Sequence, residues 1–167
     1  MPGIDFQAKA TNTMSVVDCG FKYNMMDMQA AIGLHQLARV DAAWERRKTI
    51  WQRYQQAFAE WSVVCPVEPP PHVRHAHHLY TLLVDEQRCG LSRDQFITRM
   101  TALGIGVGVH YLAIPERPYY QQRLGYRPED TLHATRIGRQ TVSLPISPKL
   151  TEDEVERVIK AVGLCLA

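Results

Sequence analysis

The chain has 167 residues, of which 46% are hydrophobic and 22% charged, and its formal net charge is +2. This is the composition of an ordinary globular protein, and it excludes disordered, collagen-like and purely coiled-coil chains. No stretch approaches the ~18 consecutive apolar residues of a membrane span, and the first residues lack the order of a signal peptide. The four cysteines are far apart and form no CxxC pair, which favours free thiols in the absence of a secretory signal. We therefore expect a cytoplasmic protein with no membrane segment.

A helical pattern begins at Asp27, after a start that shows no clear period. Apolar side chains then recur at spacings of three, four and seven up to Trp61, which places them on one stripe of a helix. One helix of this length would span roughly 50 Å, which is long for a globular protein. We therefore predict a break near Val40–Asp41, with Asp27 and Asp41 as the two N-caps. The positive side chains off the stripe are expected to form a solvated face: Arg46, Arg47, Lys48 and Arg53.

Four prolines between Pro66 and Pro71 mark the best internal boundary. The chain is accordingly divided into residues 1–65, a helical segment, and residues 66–167, a small α+β domain. Capping boxes at Ser92–Gln95 and Thr151–Glu154 predict two helix starts, and short helices are predicted at 117–124 and 130–139. Strands are predicted at residues 78–84, 105–111 and 141–144. About three strands flanked by helices, behind a long helical segment, predict a small α+β layer rather than a doubly wound sheet.

The histidines His72, His75, His77 and His78 form the densest cluster of metal-binding side chains. They lead into a predicted strand, where successive side chains point to opposite faces, so His77 and His78 do not share one ion easily. No nearby cysteine or carboxylate completes a ligand set. We predict no metal site here, and zinc binding is the less favoured alternative.

Two further patterns point to packing rather than to a ligand. The run Gly104-Ile-Gly-Val-Gly108 resembles a phosphate cradle, but its glycines alternate along a predicted strand and precede no helix. Close packing or a bulge is the favoured interpretation of these glycines. Nucleic-acid binding is not expected, because the basic cluster at residues 46–48 is isolated and the net charge is small.

Two stretches resemble known sequences in the same order along the chain. The first is Gly20-Phe-Lys-Tyr-Asn-Met-Met-Asp-Met-Gln-Ala-Ala-Ile32, followed by the spacings that lead to Asp41 and Tyr54. The second is Gly104-Ile-Gly-Val-Gly-Val-His-Tyr111, followed by Pro118-Tyr-Tyr120 and Ser143-Leu-Pro-Ile-Ser-Pro148. Together they resemble the C-terminal part of the DegT/DnrJ/StrS sugar aminotransferases. The segment Val84–Asp94 is most similar to the branch that makes UDP-4-amino-4-deoxy-arabinose for lipopolysaccharide.

This resemblance implies a fold-type I pyridoxal-phosphate (PLP) enzyme that moves an amino group onto a keto-sugar nucleotide. PLP chemistry requires a lysine that binds the cofactor covalently and an aspartate on the pyridine nitrogen. The family carries both on its large N-terminal domain, and none of this chain's five lysines matches the lysine motif. Residues 1–65 would be the end of that large domain with its connecting helix, and residues 66–167 the small domain. We expect no catalytic residue here and no PLP on this chain alone.

The resemblance also implies particular binding residues. Asn24 corresponds to a residue that reaches the PLP phosphate of a partner subunit, although helix capping is an equal alternative for it. Lys22 falls at a phosphate-side or substrate-side polar position. His110 and Tyr111 correspond to a pair near the substrate cleft, with packing at a strand end as the alternative. The sequence departs from many relatives just beyond this pair, at Ala113 and Pro115.

The expected function is the C-terminal portion of a nucleotide-sugar aminotransferase, inactive alone and paired with a PLP-lysine domain in an upstream or separate segment. The expected association is a homodimer through residues 20–61. The alternative is a stand-alone interaction or regulatory module derived from that domain. A free-standing binder of small ligands at the His110–Tyr111 end of the sheet is a third possibility.

Overall fold

The structure, a computed structural model, describes residues 23–167. The chain divides into two compact units, residues 1–38 and residues 39–167. In the first unit, helix α1 covers Asp27–Leu37 and buries none of its side chains. Met26 and not Asp27 is the N-cap, and its N–H donates to the Gln29 side chain at 3.1 Å. Asp27 lies in the first turn, where its carboxylate is favoured by the positive end of the helix dipole.

Helix α2 covers Val40–Phe58 and forms one wall of the core in the second unit. The predicted break is confirmed, because α1 ends at Leu37 and α2 begins at Val40. Arg39 is the N-cap of α2, so the prediction that Asp41 caps this helix is wrong. The buried side chains of α2 belong to the predicted stripe or lie directly beside it: Ile50, Trp51, Tyr54 and Phe58.

Arg46, Arg47 and Lys48 are partly buried, so the predicted solvated face is wrong for these three, whereas Arg53 is exposed as predicted. Arg46 and Arg53 form ion pairs with Glu152 and Glu156 of helix α7, which covers Glu152–Leu166. Partly exposed pairs of this kind each contribute about 0–1 kcal/mol. Their main effect is to fix how α2 lies along α7. Periodicity within α2 could not reveal them, because the partners are on the last helix of the chain.

A two-stranded antiparallel sheet crosses the second unit. Strand β1 covers Tyr80–Leu83 and strand β2 covers Thr141–Leu144, with Tyr80 opposite Leu144 and Leu83 opposite Thr141. These are two of the three predicted strands. On the other side of β1, Val64 adds a single bridge to Leu83.

The third predicted strand, at residues 105–111, is wrong as a strand, although the α+β class is confirmed. This segment meets the sheet only at a bridge between Gly108 and Ser143. The N–H of Ile105 donates to the carbonyl of Met100 at 2.9 Å, which ties the start of the segment to the preceding helix. Because its start is held by a helix, the segment contributes a single residue to the pairing with β2.

Four shorter helices complete the second unit. Ser92 and Gln95 form the predicted capping box of one of them, and Thr151 and Glu154 form that of α7, so both predictions are confirmed. In each box the N-cap hydroxyl accepts from the N–H three residues later, and the later side chain accepts from the N-cap N–H. The helices are α3 (Glu86–Cys89), α4 (Arg93–Ala102), α5 (Pro118–Leu124) and α6 (Leu132–Gln140), with short 3-10 turns at Ile114–Glu116 and Pro128–Thr131.

Aromatic side chains of α2 and β1 form the centre of the core. The ring of Tyr80 lies 5.1 Å from that of Tyr54 and 5.6 Å from that of Trp51, both in edge-to-face geometry. The Tyr54 hydroxyl donates to the carbonyl of Pro145 at 2.8 Å, and the Tyr80 hydroxyl donates to the Gln55 side chain at 2.8 Å. Both buried hydroxyls therefore have partners, which avoids the cost of an unsatisfied polar group.

Cys65, Cys89 and Cys165 are free thiols, as predicted, and Cys19 lies outside the described residues. No helix within residues 23–167 is both long enough and apolar enough to cross a membrane. The boundary between residues 1–65 and 66–167 stays a prediction.

The buried phenols predict a loss of stability in alkali. Burial raises the pKa of Tyr54 and Tyr80 above their ordinary value of 10. The unfolded chain then releases these protons at a lower pH than the folded chain, so stability falls as the pH rises past 10. We expect the free energy of unfolding in urea to fall between about pH 9 and about pH 11, and to fall less in Tyr54→Phe.

Near neutral pH, Tyr54→Phe should itself cost about 1 kcal/mol, because the carbonyl of Pro145 loses its donor. Tyr119→Phe is the matched control, since Tyr119 is 66% exposed. This control should follow the wild type at every pH. An alkaline loss in Tyr54→Phe as large as that of the wild type would contradict the explanation.

Candidate functional site

The candidate site lies where the segment after Gly108 leaves β2. The N–H of Gly108 donates to the carbonyl of Ser143 at 3.1 Å, and the N–H of Ser143 donates back at 2.7 Å. This pairing brings His110 beside the same strand, with its Nδ1 2.8 Å from the hydroxyl oxygen of Ser143. Ser143 is almost fully buried, so its hydroxyl is a fixed partner that holds the imidazole in one orientation.

The hydroxyl of Ser143 admits two proton arrangements at His110. When the hydroxyl donates to Nδ1, the proton of the neutral imidazole is on Nε2, which then acts as a donor. When Nδ1–H donates to the hydroxyl, Nε2 acts as an acceptor. The same half-buried ring can therefore bind either a hydroxyl hydrogen or an oxygen atom of a ligand.

Gly108 is required by the position of this ring. A Cβ atom at residue 108 would lie 2.7 Å from Cε1 of His110, closer than real Cβ contacts. The packing interpretation of the glycine run is confirmed at this residue. At Gly106, in contrast, an added Cβ would have nothing within 4 Å.

Helix α6 holds the residues that follow His110. A Cβ at Gly138 would lie 2.7 Å from the N atom of Ala113 and 3.1 Å from the carbonyl oxygen of Tyr111. The helix can approach the loop this closely only without a side chain at residue 138. Arg139 and Glu116 add an ion pair across the same contact at 2.6 Å. A glycine inside a helical pattern indicates a close packing contact, but the sequence does not show which residues that glycine contacts.

Tyr111 completes the exposed part of the site. Its side chain is 69% exposed, and its ring lies 4.9 Å from that of His110 in edge-to-face geometry. The site therefore combines an exposed phenol with a half-buried imidazole. Both groups hydrogen-bond to hydroxyl or phosphate oxygens, so the arrangement fits binding of a polar ligand. The contribution of Ser143 was not foreseen from the sequence, since nothing in residues 141–144 indicates a partner for its hydroxyl.

The other predicted site residues are Asn24 and Lys22. Asn24 is exposed in the first unit, and Met26 rather than Asn24 caps helix α1, which removes the capping alternative. Its predicted contact with a cofactor phosphate stays a prediction. Lys22 lies outside the described residues.

The described residues fit PLP only in part. The exposed amide of Asn24 can donate to a phosphate oxygen. Among the described lysines, Lys149 and Lys160 are exposed, and the Lys48 ammonium lies 5.1 Å from the ring centroid of Trp44. The described residues thus include an amide that can donate to a phosphate oxygen, and the lysine and aspartate that PLP requires stay assigned to the large domain by the family resemblance.

The fold brings His75 and His77 together, with their Nδ1 atoms 3.2 Å apart. His77 is buried, whereas His72, His75 and His78 are exposed. Within residues 23–167 no three histidine, cysteine or acidic side chains converge in a way that would hold a metal ion.

Comparison with known proteins identifies a family that matches nearly the whole chain. The DegT/DnrJ/EryC1/StrS aminotransferase family matches residues 2–163. The spore coat polysaccharide biosynthesis protein SpsC of Bacillus subtilis is 42% identical over 144 residues, which are 86% of this chain and 37% of SpsC.

Two solved structures are also similar to this chain. A Streptococcus pneumoniae protein assigned as a sugar aminotransferase superposes in its pyridoxamine-phosphate form with a TM-score of 0.80 at 29% identity, covering 91% of this chain and 38% of its own. DesV of S. venezuelae superposes with a TM-score of 0.71 at 31% identity, covering 81% of this chain and 35% of its own. The chain thus spans less than two-fifths of the length of these relatives.

The two glycines near His110 provide a matched test of the site. Gly108→Ala should displace the imidazole and destabilise the fold by about 1–3 kcal/mol, the usual cost of overpacking. Gly106→Ala should change stability by less than about 1 kcal/mol, because the added methyl group enters open space. Urea unfolding measures both effects, and the NMR signals of the His110 ring report its displacement. Equal effects of the two substitutions would show that the ring does not pack on residue 108.

Proposed function

The chain belongs to the DegT/DnrJ/EryC1/StrS aminotransferase family, and we propose that it is the C-terminal portion of a PLP-dependent aminotransferase acting on a 4-keto-sugar nucleotide. The observation that carries this proposal is the family match over nearly the whole chain, at 37% of the length of SpsC. Its expected location is the cytoplasm. Its expected product enters a surface polysaccharide such as lipopolysaccharide, and the UDP-4-amino-4-deoxy-arabinose branch stays a prediction.

The residues of this chain bind and orient in the proposed reaction. Tyr111 and the Nε2 atom of His110 hold oxygen atoms of the sugar nucleotide at the exposed end of the site. Ser143 keeps the imidazole in the orientation that this contact requires, at 2.8 Å from Nδ1. The close approach of α6 at Gly138 fixes the backbone of Tyr111. PLP, when bound, supplies an electron sink for the transfer of the amino group.

Asn24 has a separate role in the proposal. Its amide donates to the phosphate of a PLP molecule held by a partner subunit, which requires a dimer. Residues 20–61 form the proposed dimer contact. The covalent lysine and its aspartate come from a large domain encoded upstream or separately, so the chain alone transfers no amino group.

The proposal predicts how the chain responds to PLP. The purified chain, mixed with sub-millimolar PLP and reduced with borohydride, should retain no cofactor in a ratio near one per chain, because no lysine is activated to bind it. Mass spectrometry of the reduced chain measures the ratio and the modified residue, and Lys22→Ala is the control. Stoichiometric modification of Lys22 would contradict the proposal that the covalent lysine belongs to the large domain.

The coding DNA provides the direct test of the function itself. An in-frame segment upstream of Met1 that encodes a PLP-binding lysine supports the proposal. In that longer protein, His110→Ala should raise the KM for the keto-sugar nucleotide by about tenfold, the effect of losing one charge-assisted hydrogen bond. Absence of any such segment, upstream or elsewhere, would favour the interaction module.

The exposed apolar side chains of helix α1 predict that the chain self-associates. Its neighbourhood exposes six large apolar side chains, and exposed apolar patches of more than a few hundred Å² usually mark an interaction site. A symmetric dimer is the commonest result for one surface that pairs with itself. The side chains are Met25, Met26, Met28, Ile32, Leu34 and Leu37.

Light scattering over a concentration series measures this association. The wild type should form dimers at micromolar concentration, and Ile32→Glu should shift the equilibrium toward monomer because it places a charge in the contact. Val67→Glu is the matched control, since Val67 is 90% exposed and lies in the second unit. A strictly monomeric wild type at high micromolar concentration would contradict the prediction and favour the regulatory module.

A further inference from the structure

A second pocket lies within the unit of residues 39–167, between α2 and the segment that leads into β1. Its volume is about 400 Å³, enough for a small metabolite. Neither His110 nor Tyr111 lines it, so it is separate from the candidate site. The polar side chains that line it are Lys48, Gln52, Glu68, His72, Arg74, His75 and His77, and the apolar wall consists of Trp44, Trp51 and Pro69–Pro71.

Trp44 organises the cations of this pocket. The Lys48 ammonium lies 5.1 Å from the centroid of the indole ring, and the Arg74 guanidinium lies 4.6 Å from it. Both distances are within the range of cation–π attraction. The indole N–H donates to the carbonyl of His75 at 2.7 Å, which fastens the loop to α2. Two positive charges are thus held beside one aromatic face at the pocket wall.

Further charges surround this pair. Arg47 follows on α2, and its buried Nε has no hydrogen-bond partner among residues 23–167. The acidic side chains are Glu68, which lines the pocket, and Asp41, which pairs with Arg74. That ion pair is largely exposed and therefore weak, so a ligand can compete for Arg74. Two cations, Lys48 and Arg74, thus line the pocket against one acidic lining side chain, Glu68.

Two imidazoles lie together at the pocket wall. Nδ1 of the buried His77 lies 3.2 Å from Nδ1 of His75. Burial lowers the pKa of His77, and the nearby positive charges lower it further, while Glu68 opposes them. The imidazole of His77 therefore lies in a positive environment that a bound anion would offset. His72 is a third imidazole at the exposed rim.

We propose that this pocket binds a small soluble phosphomonoester. The phosphate would be held by Lys48, Arg74 and the histidine pair, and the organic part would lie against the indole of Trp44 and the prolines. A doubly charged oxyanion matches clustered cations and imidazoles better than a neutral ligand does. A metal ion is disfavoured, because the same cations repel it and no three ligand side chains converge within the described residues.

The probes for this pocket are inorganic phosphate and glycerol 3-phosphate, and glycerol is the uncharged control. Calorimetric titration of the full chain should show saturable binding of both anions and none of glycerol. In two-dimensional NMR the indole N–H signal of Trp44 should move during the titration.

Matched variants locate the bound anion. Lys48→Ala and Arg74→Ala should each weaken binding by about tenfold, the effect of one hydrogen bond to a charged group. Lys149→Ala removes an exposed lysine outside the pocket and should change nothing. Lys48→Gln removes the charge but keeps most of the side chain, and it replaces Lys48→Ala if that variant does not fold.

Three results would overturn the inference. They are the absence of saturable binding, equal affinity in the wild type and in both pocket variants, and binding of glycerol as tight as that of its phosphate. Tighter binding of zinc than of phosphate, with loss in His75→Ala, would replace the anion with a metal. None of these outcomes depends on aminotransferase activity, so they leave the proposed function to its own tests.

Discussion

The contact between Tyr80 and the aromatic side chains of α2 is the constraint on which both sites depend. Tyr80 begins β1, and its ring meets Tyr54 and Trp51 edge to face. This contact fastens α2 to β1, and the pairing of β1 with β2 then fixes Ser143. Ser143 in turn holds His110. On the other side, the ring of Trp51 lies 5.3 Å from that of His77, so the same helix also positions the second pocket.

The two sites differ in the kind of ligand they suit. The His110–Tyr111 site presents an imidazole and a phenol at an exposed edge, held by one buried hydroxyl and by a glycine contact with α6. The second pocket is enclosed by a helix and a proline-rich segment, and its lining is rich in cations. The first arrangement suits hydrogen bonding to a sugar nucleotide, and the second suits a localised negative charge.

Local sequence signals accounted for much of the fold. Both capping boxes, the break between α1 and α2 and two of the three strands follow from residues close together in sequence. The third strand did not form, because Ile105 is tied to Met100 of α4 and the residues after His110 pack on α6. Its alternating apolar pattern was correct for a segment that faces the core, but alternation does not show where the backbone hydrogen bonds go.

The sequence by itself determined the α+β class, the family resemblance, and His110 and Tyr111 as residues of interest, because these depend on residue types in order along the chain. Only the tertiary structure decided that Ser143 holds His110, that Gly108 must lack a side chain, and that Arg46 and Arg53 pair with α7. It also turned a basic cluster and a row of histidines into one pocket around Trp44. The physical reason is distance along the chain: His110 and Ser143 are 33 positions apart, the two ion pairs join residues 106 and 103 positions apart, and no local propensity encodes such a partner.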